Sequence, residues 1–271
     1  MTAEALGTLV MPALPQTIAL VVGAVANAVL FIIACRQCRR YRTGVPLLLL
    51  IAAACTVALE PIVGVLGHGF HPAIGQIALF TCLGRAIPLH IALIYTVYYG
   101  SFYILLYPAL RAGTVTRELA WKLFWVTVVA AFVFEIPPLQ AGLWVYYDPQ
   151  ALWVWRGGMP IFWVVANAVS LLVPLTLIKA FLPICTGWRQ WLLVPLSPMG
   201  AIMGHVGTGF PFYIAANSPV PQWLVDLGGV ASFGLAVLVV GVCAQVLSTE
   251  DFPRPNRRNA PRTFDTPKIV R

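Results

Sequence analysis

Residues 45–66 read VPLLLLIAAACTVALEPIVGVL, and this stretch decides the fold. Glu60 is its only charged residue. A helix needs about 20 apolar residues to cross a hydrocarbon core ~30 Å thick, so the stretch is long enough to span a membrane. It therefore predicts a transmembrane helix with one acidic residue inside it.

The rest of the chain has the same apolar character. Of its 271 residues, 60% are hydrophobic and only 10% are charged, and the mean hydropathy is +0.85. Soluble domains carry about 25% charged residues, so this composition indicates a membrane protein. We predict an all-α polytopic membrane protein, a bundle of seven transmembrane helices. Their expected bounds are about 15–35, 45–66, 87–110, 121–143, 159–182, 191–213 and 223–247.

The longest apolar run, residues 73–110, contains no charged residue except Arg85. It is nearly twice as long as one crossing requires. We expect residues 73–84 to lie at the membrane interface, because a second crossing here would leave no loop and would disturb the distribution of basic residues.

Basic residues predict the orientation in the membrane. Fifteen of the 17 Lys and Arg residues follow predicted helices 1, 3 and 5 or lie in the tail, which leaves Arg85 and Arg156 on the opposite side. The positive-inside rule then places the N-terminus outside and the C-terminus in the cytoplasm of a multi-pass cell-membrane protein. Because this distribution explains the net charge of +8, we expect no nucleic-acid partner.

The chain divides into two parts. Residues 1–248 form the predicted seven-helix domain, and residues 249–271 form a basic, proline-rich cytoplasmic tail. The tail is too polar to span a membrane, so we expect it to be disordered and to touch anionic lipid headgroups.

Ionisable residues inside the predicted helices share one depth. At 1.5 Å per residue, Glu60 lies ~22 Å from the cytoplasmic end of helix 2, and Glu135 reaches nearly the same height on helix 4. A charge in the bilayer costs several kcal/mol, so such residues are functional candidates. We predict a polar pocket in the outer half, with Glu60, Glu135 and Asp226 as catalytic candidates. The substrate-binding candidates are Arg85, His90, Asn167, His205, Trp144 and Tyr146.

Each central glutamate stands beside proline, as Glu60-Pro61 and Glu135-Ile136-Pro137. Proline removes a backbone donor and kinks the helix, which frees a carbonyl near each carboxyl group. Apolar surroundings favour a neutral carboxyl group, so either glutamate could donate a proton, while one beside Arg85 would stay ionised. The alternative is structural: Arg85 neutralises one carboxylate, and the histidines cap helix ends.

Other patterns concern packing and cofactors. Gly200 and Gly204 predict a close approach between helix backbones. The last predicted helix has no lysine for a retinal Schiff base, and Cys35 and Cys38 lack the further ligands of a metal site. We therefore expect no metal and no cofactor.

The stretch Cys55-Thr56-Val57-Ala58-Leu59-Glu60 on the second helix resembles the corresponding stretch of membrane-bound terpene cyclases, which are small seven-helix enzymes. The resemblance implies that Glu60 helps to protonate an epoxide or alkene of a prenyl chain and starts a carbocation cascade without metal. The second acid of that family lies inside the last helix. There this chain has Ser232, Cys243 and Gln245, while Asp226 lies at the outer start of the helix.

The run from Glu135-Ile136-Pro137-Pro138 through Trp144-Val145-Tyr146-Tyr147 to Gly158-Met159-Pro160 is similar to membrane enzymes of carotenoid biosynthesis. Both resemblances imply a long apolar isoprenoid substrate that enters from the lipid. A few of the surrounding aromatic rings would face the cavity and stabilise a cation.

Two functions follow as hypotheses. The first is a metal-free isoprenoid-modifying enzyme, a cyclase or hydratase, that acts on an apolar lipid or isoprenoid substrate in an outer-half cavity. The second is a small transporter or sensor that binds a solute or a proton at the same polar layer.

Overall fold

The computed structural model describes residues 3–155 and 158–249. Most of this part is helical, and its elements are named in chain order. The helices are α1 (Ala3–Gly7), α2 (Ala13–Tyr41), α3 (Val45–Cys55), α4 (Glu60–Leu66), α5 (Leu89–Ala112), α6 (Arg117–Gln140), α7 (Ile161–Phe181), α8 (Leu193–Ala216) and α9 (Gln222–Ser248). The strands are β1 (Gly69–Phe70), β2 (Ala78–Cys82), β3 (Arg85–Pro88) and β4 (Val145–Tyr146).

Six helical segments in the described ranges are long and apolar enough to cross a membrane. They are α2, the combined α3–α4 segment, α5, α6, α7 and α9. These helices confirm the prediction of an all-α multi-pass membrane protein. Helix α8 has 24 residues but is not among the six. Its glycines, prolines and His205 lower its hydropathy.

Helix α7 lies at the centre of the bundle and packs against α6, α8 and α9. In the most apolar 18-residue stretch of α7, 72% of the residues are buried, whereas the corresponding values are 17% for α2 and 22% for α6. The outward faces of α2 and α6 carry exposed apolar side chains such as Val25, Phe31, Val129 and Phe134. Such faces suit contact with lipid, because hydrocarbon does not penalise exposed apolar surface.

Glycines let α7 and α8 pack backbone to backbone. A Cβ atom added to Gly200 would lie 2.5 Å from the Cα atom of Pro174, and one added to Gly204 would lie 2.8 Å from the Val169 carbonyl oxygen. This geometry confirms the close approach predicted from the glycine spacing.

One end of the bundle carries all four strands, and we call it the hairpin end. Strand β1 pairs antiparallel with β4, and β2 pairs antiparallel with β3. The β2–β3 turn contains Leu83 and Gly84, both with positive φ, the conformation that a tight two-residue hairpin requires. The apolar run after residue 73 therefore forms a hairpin before α5, and no additional crossing, in line with the prediction.

Two predictions fall outside the described residues. These are the disorder of the tail, which the structure describes only at Thr249, and the position of Arg156.

Candidate functional site

Glu60 lies where the second membrane-length segment changes its helical geometry. Helix α3 ends at Cys55, residues 56–59 form a 3₁₀ turn, and α4 begins at Glu60. Pro61 has no backbone N–H, and its ring clashes with the carbonyl four residues earlier, which disfavours a regular α-helix at this point. The break predicted from Pro61 is thus present, and it exposes the Glu60 side chain to a cavity. In α6, by contrast, Pro137 and Pro138 lie within one continuous helix.

His71 is the closest partner of Glu60. The chain reverses after α4 through His68, which has a φ of 56°, and β1 then leads back towards Glu60. As a result the Nε2 atom of His71 lies 2.7 Å from Oε1 of Glu60. Both side chains are largely buried, with 8% of His71 and 17% of Glu60 exposed.

The other Glu60 oxygen also has a partner. The hydroxyl group of Tyr95 in α5 donates a hydrogen bond of 2.5 Å to Oε2. Trp144 packs edge-on against the imidazole of His71, with ring centroids 6.1 Å apart. Of the predicted residues, Glu60 and Trp144 therefore share one cluster.

The hydrogen-bond partners of His71 and Glu60 indicate which atoms of this cluster carry protons. The Nδ1 atom of His71 lies 3.3 Å from the carbonyl oxygen of Leu143. A carbonyl oxygen only accepts, so Nδ1 carries a proton. One further proton must then lie between Nε2 of His71 and Oε1 of Glu60, on one atom or the other. The two side chains form a pair that holds a transferable proton, and we call it the Glu60–His71 pair.

A cavity of about 300 Å³ opens beside this pair. Glu60, His71 and Arg85 contribute its ionisable groups, and Phe70 and Ile87 contribute apolar surface. The cavity belongs to the hairpin end, because β1, β3 and the turn between β2 and β3 form much of its wall. Its volume lies at the lower limit of small-molecule sites, which span ~300–1,000 Å³.

Glu135 belongs to a second cluster. Its Oε2 atom accepts a 2.8 Å hydrogen bond from the Tyr146 hydroxyl, and its Oε1 atom accepts a 2.6 Å bond from Nδ2 of Asn167. Burial raises the pKa of Tyr146 well above its usual value, and the negative charges of Glu135 and Glu60 raise it further. Tyr146 therefore stays protonated and donates to Glu135. Glu135 is not on the wall of the 300 Å³ cavity.

Two further predicted residues are completely buried histidines. His205 contacts the Tyr213 hydroxyl through Nδ1 at 2.6 Å, while its Nε2 atom has no partner in the described chain. Neither ring nitrogen of His90 has a hydrogen-bond partner among the residues described.

Arg85 does not form the ion pair that the structural alternative predicts. Its Nη2 atom donates a 2.8 Å hydrogen bond to the Tyr147 hydroxyl, and no described carboxylate lies within ion-pair distance. The guanidinium group can reach Tyr147 because β3 holds Arg85 beside the loop that follows β4. His68 stacks on Tyr147 with ring centroids 4.9 Å apart. Burial lowers the pKa of His68, and the Arg85 charge acts in the same direction.

Asp226 is not brought to either glutamate. Its Oδ1 atom accepts hydrogen bonds from the backbone N–H of Leu152 at 2.9 Å and from Gln222 at 3.2 Å. These contacts attach the loop before α7 to the start of α9. These contacts give Asp226 a structural role, and they do not support the catalytic role expected from the sequence.

Sequence reasoning missed the roles of His71 and Tyr95. The candidate site residues did not include either one, since His71 lies beyond a helix end and Tyr95 is one of many aromatic residues. A usable signal was present in Gly67-His68-Gly69, because glycines after a helix favour a chain reversal. A reversal at this point returns the following residues to the end of the helix.

No family model, curated protein or solved structure matches this chain. Within residues 3–155 and 158–249 there is no group of three His, Cys, Asp or Glu side chains that could hold a metal ion.

Proposed function

We propose that this protein is an integral membrane enzyme that uses the Glu60–His71 pair for acid–base catalysis on an isoprenoid substrate. The observation that carries the proposal is a buried carboxyl group that shares a proton with an imidazole and lines a 300 Å³ cavity. A carboxyl group and an imidazole in hydrogen-bond contact beside a cavity are typical of active sites that use acid–base catalysis.

The positions of the protons in the Glu60–His71 pair indicate the type of reaction. Glu60 in its acid form gives the proton on Oε1 to an alkene or to an epoxide oxygen, which leaves a carbocation on the substrate. The Tyr95 hydroxyl then stabilises the new carboxylate through its hydrogen bond to Oε2. In a cyclisation, a double bond of the substrate attacks the cation and a C–H proton returns to the pair. In a hydration, water attacks and loses the proton instead.

The isoprenoid class rests on the surroundings of the pair and on the resemblance of residues 55–60 to membrane terpene cyclases. The rings of Tyr95 and Trp144 contact the pair, and aromatic faces stabilise cations. The apolar outward faces of α2 and α6 favour substrates that dissolve in lipid.

We further propose seven crossings, with the hairpin end outside and the C-terminus in the cytoplasm. The distribution of the basic residues supports this orientation. Helix α8 is the seventh crossing, because it packs between membrane-length helices α7 and α9.

Replacement of Glu60 tests the proposal. Glu60→Gln keeps the size of the side chain but removes the transferable proton, so we expect product formation to fall by about 100-fold or more. The measurement is mass spectrometry of lipid extracts from membranes supplied with a prenylated substrate, at matched protein levels. Glu118→Gln is the control, because Glu118 is an exposed glutamate that pairs only with Lys122 among the described residues. Equal turnover in the wild type and Glu60→Gln would refute the proposal.

A proton-coupled transporter is the second candidate, since a Glu–His pair that shares a proton beside a cavity also suits proton coupling. In that case sealed vesicles would accumulate a solute, an uncoupler would abolish the accumulation, and the lipid extracts would contain no new product.

A further inference from the structure

Arg85 is a cavity-lining cation that pairs with no carboxylate among the residues the structure describes. It shares the 300 Å³ cavity with Glu60 and His71. Its side chain makes one hydrogen bond in the described part of the chain, from Nη2 to the Tyr147 hydroxyl. A guanidinium group has five N–H donors, so most of its hydrogen-bonding capacity is unused.

Two aromatic rings hold the guanidinium group in place. Its central carbon lies 5.1 Å from the ring centroid of Phe70 and 5.9 Å from that of Tyr147. Phe70 lines the same cavity, so the contact fixes the guanidinium group at the cavity wall. A fixed planar fork of donors is suited to bidentate binding of carboxylate or phosphate oxygens.

Small residues leave room for a ligand between Arg85 and the Glu60–His71 pair. Gly64, Gly69, Ala73, Gly84 and Ala86 all contribute to the cavity wall. A half-buried charge without a partner is unfavourable, and a ligand that brings an anionic group removes this cost.

We propose that Arg85 binds an acidic oxygen group of the substrate, a carboxylate or a phosphate ester, and thereby places the reacting bond of the same molecule against the Glu60–His71 pair. The substrate is then an isoprenoid acid and neither a hydrocarbon nor a neutral alcohol. This inference rests on the proposed function, because it assigns the cavity of that function to substrate recognition.

Binding measurements with three matched probes test the inference. Farnesoic acid, farnesyl monophosphate and farnesol share one chain and differ in the head group. We expect the wild-type protein, in nanodiscs of zwitterionic lipid at pH 7.5, to bind at least one acid about 10-fold or more tightly than farnesol. The acid that binds more tightly identifies the head group as carboxylate or phosphate. Equal affinity for all three probes would overturn the inference.

Variants assign the preference to Arg85. Arg85→Gln should bind the acids no better than farnesol, and Arg85→Lys should keep part of the preference because it retains the charge without the fork. Arg111→Gln is the matched control, since Arg111 also lies over a tyrosine, Tyr41, at 5.2 Å. An unchanged preference in Arg85→Gln, or an equal loss of preference in Arg111→Gln, would contradict the assignment.

The outcome is separable from that of the proposed function. Glu60→Gln should still prefer the acids, because it keeps Arg85, while it loses turnover. An acid preference that depends on Arg85, together with normal turnover in Glu60→Gln, would refute the acid–base mechanism and leave the binding site intact.

Discussion

At the scale of single residues, the hydrogen bond from Tyr95 to Glu60 controls how well the carboxylate is stabilised after it gives up its proton. A hydrogen bond to a charged group contributes about 1.5–3 kcal/mol. The same interaction is weaker when Glu60 is neutral. Tyr95 therefore favours the state that forms after proton transfer, and its contribution belongs to catalysis more than to folding.

Tyr95→Phe tests this role. The variant removes the hydroxyl group and keeps the ring, whose centroid lies 5.7 Å from that of Tyr99. We expect turnover to fall about 10- to 100-fold, because each 1.36 kcal/mol of lost stabilisation costs one power of ten. The measurement is the rate of product formation, together with the melting temperature of the purified variant.

Tyr99→Phe is the matched control for this variant. Tyr99 lies one turn further along α5, and its hydroxyl contacts Ser170 at 2.8 Å without contacting Glu60. Both variants lose one buried hydrogen bond, so we expect similar losses of stability, of about 1 kcal/mol. An equal loss of turnover in both would mean that Tyr95 acts only through stability.

The sequence predicted those site residues whose chemistry is conspicuous in an apolar span. Glu60 and Glu135 stand out because an ionisable group in lipid is costly. Asn167 and Tyr146 were also predicted, and the structure places both on Glu135. His71 was not predicted, because its contact with Glu60 depends on the backbone path through His68 and not on any property of His71 itself.

At the scale of elements, the contact between α7 and α8 fixes the position of His205 within the bundle. Gly204 precedes His205, and its missing side chain allows the α8 backbone to lie against Val169 and Ser170 of α7. Close backbone packing of this kind replaces the hydrophobic driving force, which is absent between helices in lipid.

Gly204→Ala tests the packing. The added Cβ atom would lie 2.8 Å from the Val169 carbonyl oxygen and 2.9 Å from the Ser170 Cα atom, so the two backbones must separate. We expect a loss of about 1–3 kcal/mol in the free energy of unfolding, as for other overpacked sites. The measurement is unfolding of the purified protein in detergent.

Gly207→Ala serves as the control on the same helix. A Cβ atom at Gly207 would meet no atom within 4 Å. Alanine also favours the helix over glycine, so this variant should be as stable as the wild type or more stable. A loss in Gly207→Ala as large as that in Gly204→Ala would show that the effect does not come from the close approach of α8 to α7.

The sequence predicted the long helices but not the strands between them. Hydropathy identifies a long apolar run without distinguishing a membrane helix from an apolar hairpin. The apolar composition of residues 78–88 therefore did not predict strands. Within this stretch, the turn at Leu83-Gly84 is the local feature that indicates a hairpin. The sequence did predict an interruption of the helix beside Glu60, because Pro61 removes a backbone donor, but it did not predict that the interruption is a 3₁₀ turn.

At the scale of the whole molecule, the number of crossings depends on α8. Helix α8 runs in the same direction as the α3–α4 segment. Ser197 contacts Thr56 at 2.6 Å near one end, and Asn217 donates to the Leu66 carbonyl at 2.7 Å near the other. The 3₁₀ helix Gly187–Leu192 precedes α8 and extends the same helical segment by about 2 Å per residue. Helix α8 alone has 24 residues, against 22 in the α3–α4 segment, which is of membrane length.

A crossing by α8 places its two flanking loops on opposite sides of the membrane. Single cysteines at Thr186 and Pro219, both exposed positions, report on which side of the membrane each loop lies. Each substitution, Thr186→Cys or Pro219→Cys, is made in a variant from which the six native cysteines have been removed. We expect a membrane-impermeant maleimide to label Pro219→Cys in intact cells and Thr186→Cys only after permeabilisation, because Lys179 and Arg189 near the Thr186 loop favour the cytoplasm. Labelling of both positions from the same side would show that α8 does not cross. In that case the C-terminus would lie on the same side as the hairpin end, against the positive-inside rule.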